Sequence, residues 1–198
     1  APDIYMEKIV VGPNLPHNLV DLDFNLKKNI ELLSKVKGVK PNKLTACVLK
    51  RPRHDNIVKV FNEMGVKISF ITDGDVTGAI SVGDPKKNID IYIGTGGAPE
   101  GVLAAAALKC LGCQMQTRLV FQNDNEKDRA KSLGIKNFNK KYKIEDMVKD
   151  DVIFCATGVT DGDLVKGIED LGDTFRSETL VLHKGSGTNK IIKNEIKK

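Results

Sequence analysis

The run from Ile89 to Gly112, IDIYIGTGGAPEGVLAAAALKCLG, constrains the fold more than any other part of the chain. It opens with β-branched and aromatic residues suited to a buried strand and closes on an alanine- and leucine-rich stretch suited to a buried helix. Between them, GTGGAPEG ends the strand in glycines and starts the helix with Pro99, whose fixed φ suits a first helical position. Glycines let the backbone come close to a ligand, and the free amides of a first helical turn favour anions. The segment therefore predicts strand, tight turn and helix, with a phosphate or a carbohydrate at the turn. Glu100, in that same turn, either complements the helix dipole or points into the site to hold a cation.

Two other segments share this layout. Lys43 to Leu49, KLTACVL, reads as a strand running into KRPRHD and a helical pattern over Asn56 to Met64; Val66 to Thr72, VKISFIT, runs into DGDVTGAI. The strand ends thus carry Arg51 and Arg53, then Asp73 and Asp75, then Gly97 and Glu100. In open α/β sheets ligands bind outside the carboxyl ends of the strands, so these residues are expected to converge. Guanidinium groups suit phosphate, whereas aspartates repel it and are better placed to accept hydrogen bonds from sugar hydroxyls or to hold a cation. Together they describe a phosphorylated polyol. Taken alone, each has a plainer reading: DGD as a turn with a helix cap, RPRHD as a proline at a helix start with exposed arginines.

The ordered set RPRHD, DGDVTGAI, GTGGAPEGVLAAAALKCLG, DVIFCATGVTDGDLVKGI and SETLVLHKGSGT resembles the class II fructose-1,6-bisphosphatases along nearly the whole chain. That resemblance implies a layered sugar-phosphatase-type α/β fold with a mixed sheet flanked by helices. It also implies Mg²⁺- or Mn²⁺-dependent removal of the 1-phosphate of fructose 1,6-bisphosphate in gluconeogenesis. Some relatives accept sedoheptulose 1,7-bisphosphate. Carried over, the substrate contacts fall on Tyr5, Arg51, Pro52, Arg53, Asp73, Gly74, Asp75 and Gly97, and the metal carboxylate on Glu100. Arg51 departs mildly from the pattern, since some relatives have lysine there. Family members carry a further amino-terminal segment with most of the metal-binding acids and the threonine beside the scissile phosphate. By resemblance this chain is therefore the carboxy-terminal portion. It is expected to be inactive alone, with its catalytic residues in the missing segment, and to work as a homo-oligomer or by complementation. A stand-alone sugar-phosphate-binding module is the alternative.

Composition, 40% hydrophobic and 29% charged, is ordinary for a soluble globular protein, and alternating strand and helix patterns with no dividing linker predict one α/β domain over residues 1–198. The longest uncharged apolar run, Val102 to Leu108, is far too short to span a membrane, and a cytoplasmic location is expected. The net charge of +5 comes from scattered lysines, and with aromatics at 5% and no tryptophan no nucleic-acid surface is expected. The glycine loop is no nucleotide motif. Pro99 stands where a dinucleotide fingerprint needs its third glycine, and Val102 and Leu103 stand where a P-loop needs Lys and Ser/Thr.

The remaining segments predict a first helix over Leu26 to Lys37, an exposed helix in NDNEKDRAKSLGI stopping at Gly134, and a strand over Asp151 to Ala156. A further turn and helix are expected in TGVTDGDLVKGI, with Asp161 and Asp163 at the helix start, and a terminal hairpin from Ser177 to His183 and Thr188 to Ile192. Cys110 and Cys113 lack the two further ligands of a zinc site, so the four cysteines read as reduced, mostly buried thiols. His54, beside Arg53, is at most a supporting residue; His17 and His183 have no partner motif, and no Ser/His/Asp arrangement is expected.

Overall fold

The computed structural model describes residues 1–198. Its first sheet takes β1 (Tyr5–Val11), β2 (Thr45–Leu49), β3 (Lys67–Ile71), β4 (Ile91–Gly97), β5 (Gln114–Val120) and β6 (Tyr142–Lys143), in the order β3-β2-β4-β1-β5-β6. Strand β2 runs parallel to β3 and β4, while β1 is antiparallel to both β4 and β5. The sheet is mixed, and the carboxyl ends of β2, β3, β4 and β5 share one edge with the amino end of β1. The helices of this part are α1 (Leu26–Lys37), α2 (Asp55–Met64), α3 (Asp75–Ser81), α4 (Ala98–Leu111), α5 (Asp124–Ser132) and the single turn α6 (Ile144–Met147).

Strand alternation sorts the core into two faces. Ile9, Val11, Ala46, Val48 and Ile91 pack with Ile30 and Leu33 of α1 and Phe61 of α2. Their neighbours Val10, Cys47 and Tyr92 face the other way, onto Ala79 of α3 and Ala104, Ala105 and Leu108 of α4. A second sheet of β7 (Ile153–Thr157), β8 (Glu169–Asp170), β9 (Thr174–His183) and β10 (Thr188–Lys197) closes over the far side of those helices. Phe154, Leu180 and Leu182 meet Ile80 of α3 and Ala107 of α4 there. Helix α4 therefore packs against both sheets, which is why it is apolar on two sides, with Leu103 left exposed.

The α1 and α2 boundaries, the exposed helix ending before Gly134 (φ +84°) and the terminal hairpin match the sequence expectations. The hairpin is longer than its pattern suggested. Residues 158–168 form no helix, contrary to expectation. The loop folds back on itself, so that a Cβ on Gly158 would lie 2.1 Å from the Lys166 carbonyl and one on Gly167 2.6 Å from the Thr160 backbone. Asp161 caps the loop and not a helix, accepting from the Gly167 amide at 2.9 Å, while Glu178 accepts from the Lys166 amide at 3.0 Å. Asp163 is exposed, 4.0 Å from Lys87. The thiols also differ in one respect: all four are free and Cys47 and Cys113 are buried, but Cys155 is exposed.

Candidate functional site

Every residue singled out at the strand ends lies along one edge of the first sheet. Tyr5, the first residue of β1, stands opposite Gly97 across the antiparallel pair. Pro52 opens a single 3-10 turn over Pro52–His54 that turns β2 into α2. That turn is pinned by His54, which is 1% exposed. Its Nε2 accepts the Thr95 amide at 2.8 Å, so the proton sits on Nδ1, which donates to the Leu49 carbonyl at 2.7 Å. Arg53 then donates from Nε to the Thr95 carbonyl at 2.8 Å, and its guanidinium lies 5.1 Å from the centre of the Tyr5 ring, within cation–π range. Arg51 bonds only the neighbouring Lys50 carbonyl, at 2.9 Å. Neither arginine has a carboxylate partner, whereas Arg118 and Arg176 each pair with two acids.

On the β3 side, Gly74 precedes α3 at φ +81°, a conformation side chains resist, and its amide donates to Asp73 at 2.9 Å. The Asp73 side chain is exposed. Asp75 is not. Its carboxylate is 11% exposed, paired with the buried Lys8 ammonium through one oxygen and accepting from the Tyr92 hydroxyl through the other. Burial, with the Asp75 charge adding to it, pushes the Tyr92 hydroxyl far above its usual value and keeps it a donor. Lys8 also donates to the Gly97 carbonyl at 3.0 Å.

The glycines of β4 have a role the sequence did not show. A Cβ on Gly94 would lie 3.2 Å from His54, one on Gly96 2.5 Å from the Asp75 carboxylate, and one on Gly97 1.9 Å from Glu100. Gly101, one turn into α4, stands 2.9 Å from Lys8 by the same measure. Space that the sequence suggests for a ligand is occupied here by the chain's own side chains. The edge thus brings together Tyr5, Arg53, Gly97 and Glu100, with Asp75 against Gly96, while the side chains of Arg51 and Asp73 hydrogen-bond only to their chain neighbours. Lys8 and Tyr92 were not anticipated. The available signal was a lysine in YMEKIVV spaced two from Met6 and from Val10, hence on their side of the strand.

Glu100 is exposed in the first turn of α4 and makes no ion pair. No three His, Cys, Asp or Glu side chains cluster in a way that could hold a metal ion. Divalent Mg²⁺ or Ca²⁺ takes about six or more oxygen ligands, and one free carboxylate with Asp75 already engaged does not make such a site. No helix is long and apolar enough to cross a membrane.

The fold and this edge define a mixed-sheet α/β protein with unpaired arginines and a free carboxylate at adjacent strand ends. The chain belongs to the family described as bacterial fructose-1,6-bisphosphatase, glpX-encoded, whose model matches residues 1–196. It is 40% identical, over 98% of its length and 62% of the relative's, to fructose-1,6-bisphosphatase class 2 of Haemophilus influenzae. It is 36% identical, over 98% of its length and 61% of the relative's, to fructose-1,6-bisphosphatase 1 class 2 of Escherichia coli. A Synechococcus protein named D-fructose 1,6-bisphosphatase class 2/sedoheptulose 1,7-bisphosphatase is 35% identical over 97% of the chain and 59% of its own length. The chain spans about three fifths of the length of the curated relatives it matches.

Proposed function

We propose that residues 1–198 form the sugar-phosphate-binding part of an enzyme that hydrolyses the 1-phosphate of fructose 1,6-bisphosphate, giving fructose 6-phosphate and phosphate. The observation that carries this is the pair of arginines without carboxylate partners, Arg51 and Arg53, at the edge where Glu100 is also free. Cations left unneutralised beside a Tyr ring suit an anionic ligand, and guanidinium geometry suits phosphate. In this reading Arg53, helped by Arg51, Pro52 and Tyr5, binds the distal 6-phosphate. Asp73 at the Gly74 turn accepts sugar hydroxyls, Asp75 lends its remaining accepting capacity, and the Gly97 backbone borders the sugar. Glu100 contributes one ligand to a divalent cation, Mn²⁺ or Mg²⁺, beside the 1-phosphate. The other ligands come from residues outside this chain, as does the group that activates water.

A binding module without catalysis needs no metal-side carboxylate, and beyond its value to the α4 dipole a free Glu100 beside the arginines favours the enzyme. The Synechococcus relative's double name favours sedoheptulose 1,7-bisphosphate as a second substrate. The discrimination between the two sugars then rests on pocket length. The test is phosphate release from both bisphosphates, with Mn²⁺ or Mg²⁺, by the chain alone and by the chain mixed with the amino-terminal two fifths of a class 2 relative. Release only from the mixture, dependent on metal and lost in Glu100→Gln, is the expected result. Turnover by the chain alone near that of a full-length relative would refute the division of roles.

A further inference from the structure

Lys8 is the only lysine or arginine in the chain that is buried, with no exposed surface at all. It lies on the face of β1 that also carries Met6 and Val10, where an apolar side chain would pack. A buried ion pair is a poor choice for stability alone, since well-packed apolar residues of similar volume often do as well or better. The pairing must therefore be read by what it joins. Lys8, on β1, holds Asp75 in the first turn of α3 and the Gly97 carbonyl where β4 becomes α4. Tyr92, on β4, holds the second oxygen of Asp75. Gly96 and Gly101 leave the volume these side chains fill.

We propose that Lys8 and Tyr92 are positioning residues of the sugar-phosphate site. Acting through Asp75 and the Gly97 carbonyl, they fix the Asp73–Asp75 turn relative to the turn that carries Glu100. The Lys8 ammonium also neutralises the Asp75 carboxylate before a doubly phosphorylated anion arrives. What the site binds rests on the reading given under Proposed function; the network and its effect on the two turns do not.

The experiment uses Tyr92→Phe, which keeps the ring and removes only the donor, with Lys8→Met as the larger perturbation. Binding of fructose 6-phosphate and of inorganic phosphate to the chain is titrated by NMR, and the backbone amides of Asp75 and Ala98 are followed without ligand. Ala98 reports the peptide unit whose carbonyl Lys8 holds. In Tyr92→Phe, fructose 6-phosphate should bind about tenfold more weakly, the scale of one hydrogen bond's net worth. Inorganic phosphate, held by Arg51 and Arg53, should bind as before, and both amides should shift. Unchanged sugar-phosphate affinity with unmoved amides overturns the proposal. So does parallel loss of both ligands with loss of fold, which marks a purely structural role. If the unmodified chain binds no fructose 6-phosphate, the functional reading falls. The amides then decide the positioning role: shifted in Tyr92→Phe they sustain it, unmoved they refute it.

Discussion

Replacing Gly96 with alanine tests the packing logic of the site most directly. A Cβ there lies 2.5 Å from Asp75 Oδ2 and 2.7 Å from its Cγ. Asp75 cannot swing aside freely, because Lys8 and Tyr92 hold its two oxygens. Overpacking a well-filled site costs about 1–3 kcal/mol, and separating a buried ion pair about 3–5 kcal/mol. The Asp75 side chain retains 11% exposure, so a displaced carboxylate would regain some water, and the loss falls where the two ranges meet rather than at their sum. We expect a loss of about 3 kcal/mol, or about 6–12 °C in Tm for a chain of this size. Urea unfolding read by circular dichroism measures it. Two controls bracket the result. Gly94→Ala meets His54 at 3.2 Å and should cost less, about 1 kcal/mol. Gly134→Ala has nothing within 4 Å and only its φ of +84° to strain, which is again about 1 kcal/mol. A Gly96→Ala protein no less stable than Gly94→Ala would show that Asp75 is not held as described.

The framework of the site was legible because its elements carry strong local signals. Pro99 after a glycine run starts α4 as read, and Gly74 between two aspartates turns β3 into α3. The strands at the centre were harder. In β1, Glu7 and Lys8 interrupt the apolar pattern, yet Glu7 is paired with Arg118 at 2.6 Å and Lys8 with Asp75, so both charges are absorbed by partners distant in sequence. In β5, Gln116 is buried because its side chain accepts the Leu22 amide at 2.9 Å. No local pattern encodes such partners. The TGVTDGDLVKGI stretch misled for the opposite reason: its spelling copies a helix start, but Gly158 and Gly167 are used for backbone contact across a loop. The sequence suggests the glycines of β4 as places where the backbone comes close to a ligand. What approaches them in this structure is His54, Asp75 and Glu100.

The remaining predictions concern the arginine turn and the second sheet. His54→Ala should cost about 3 kcal/mol in urea unfolding, since it strands the Leu49 carbonyl and the Thr95 amide; a loss below about 1 kcal/mol would mean that water replaces the ring. Arg53→Ala, in the enzyme complemented to activity, should raise KM at least about tenfold and lower kcat much less; the reverse would place Arg53 in the chemistry. The last prediction is a pH dependence. The Lys166 amide, with help from Lys193, holds the Glu178 carboxyl below its ordinary value of 4.5. A carboxyl whose folded pKa is depressed stabilises the fold above its unfolded pKa, and that contribution is lost as pH falls through the folded value. Glu178 should therefore stabilise the chain in full at pH 7, with the loss falling below pH 4.5. Comparing urea midpoints of the unmodified chain and Glu178→Gln from pH 7 downward isolates this group from the other titrating acids. The gap between them should be constant above about pH 5 and close below the ordinary glutamate value. A gap that stays constant to pH 3 would mean that the Glu178 carboxylate is not what holds residues 158–168 against β9.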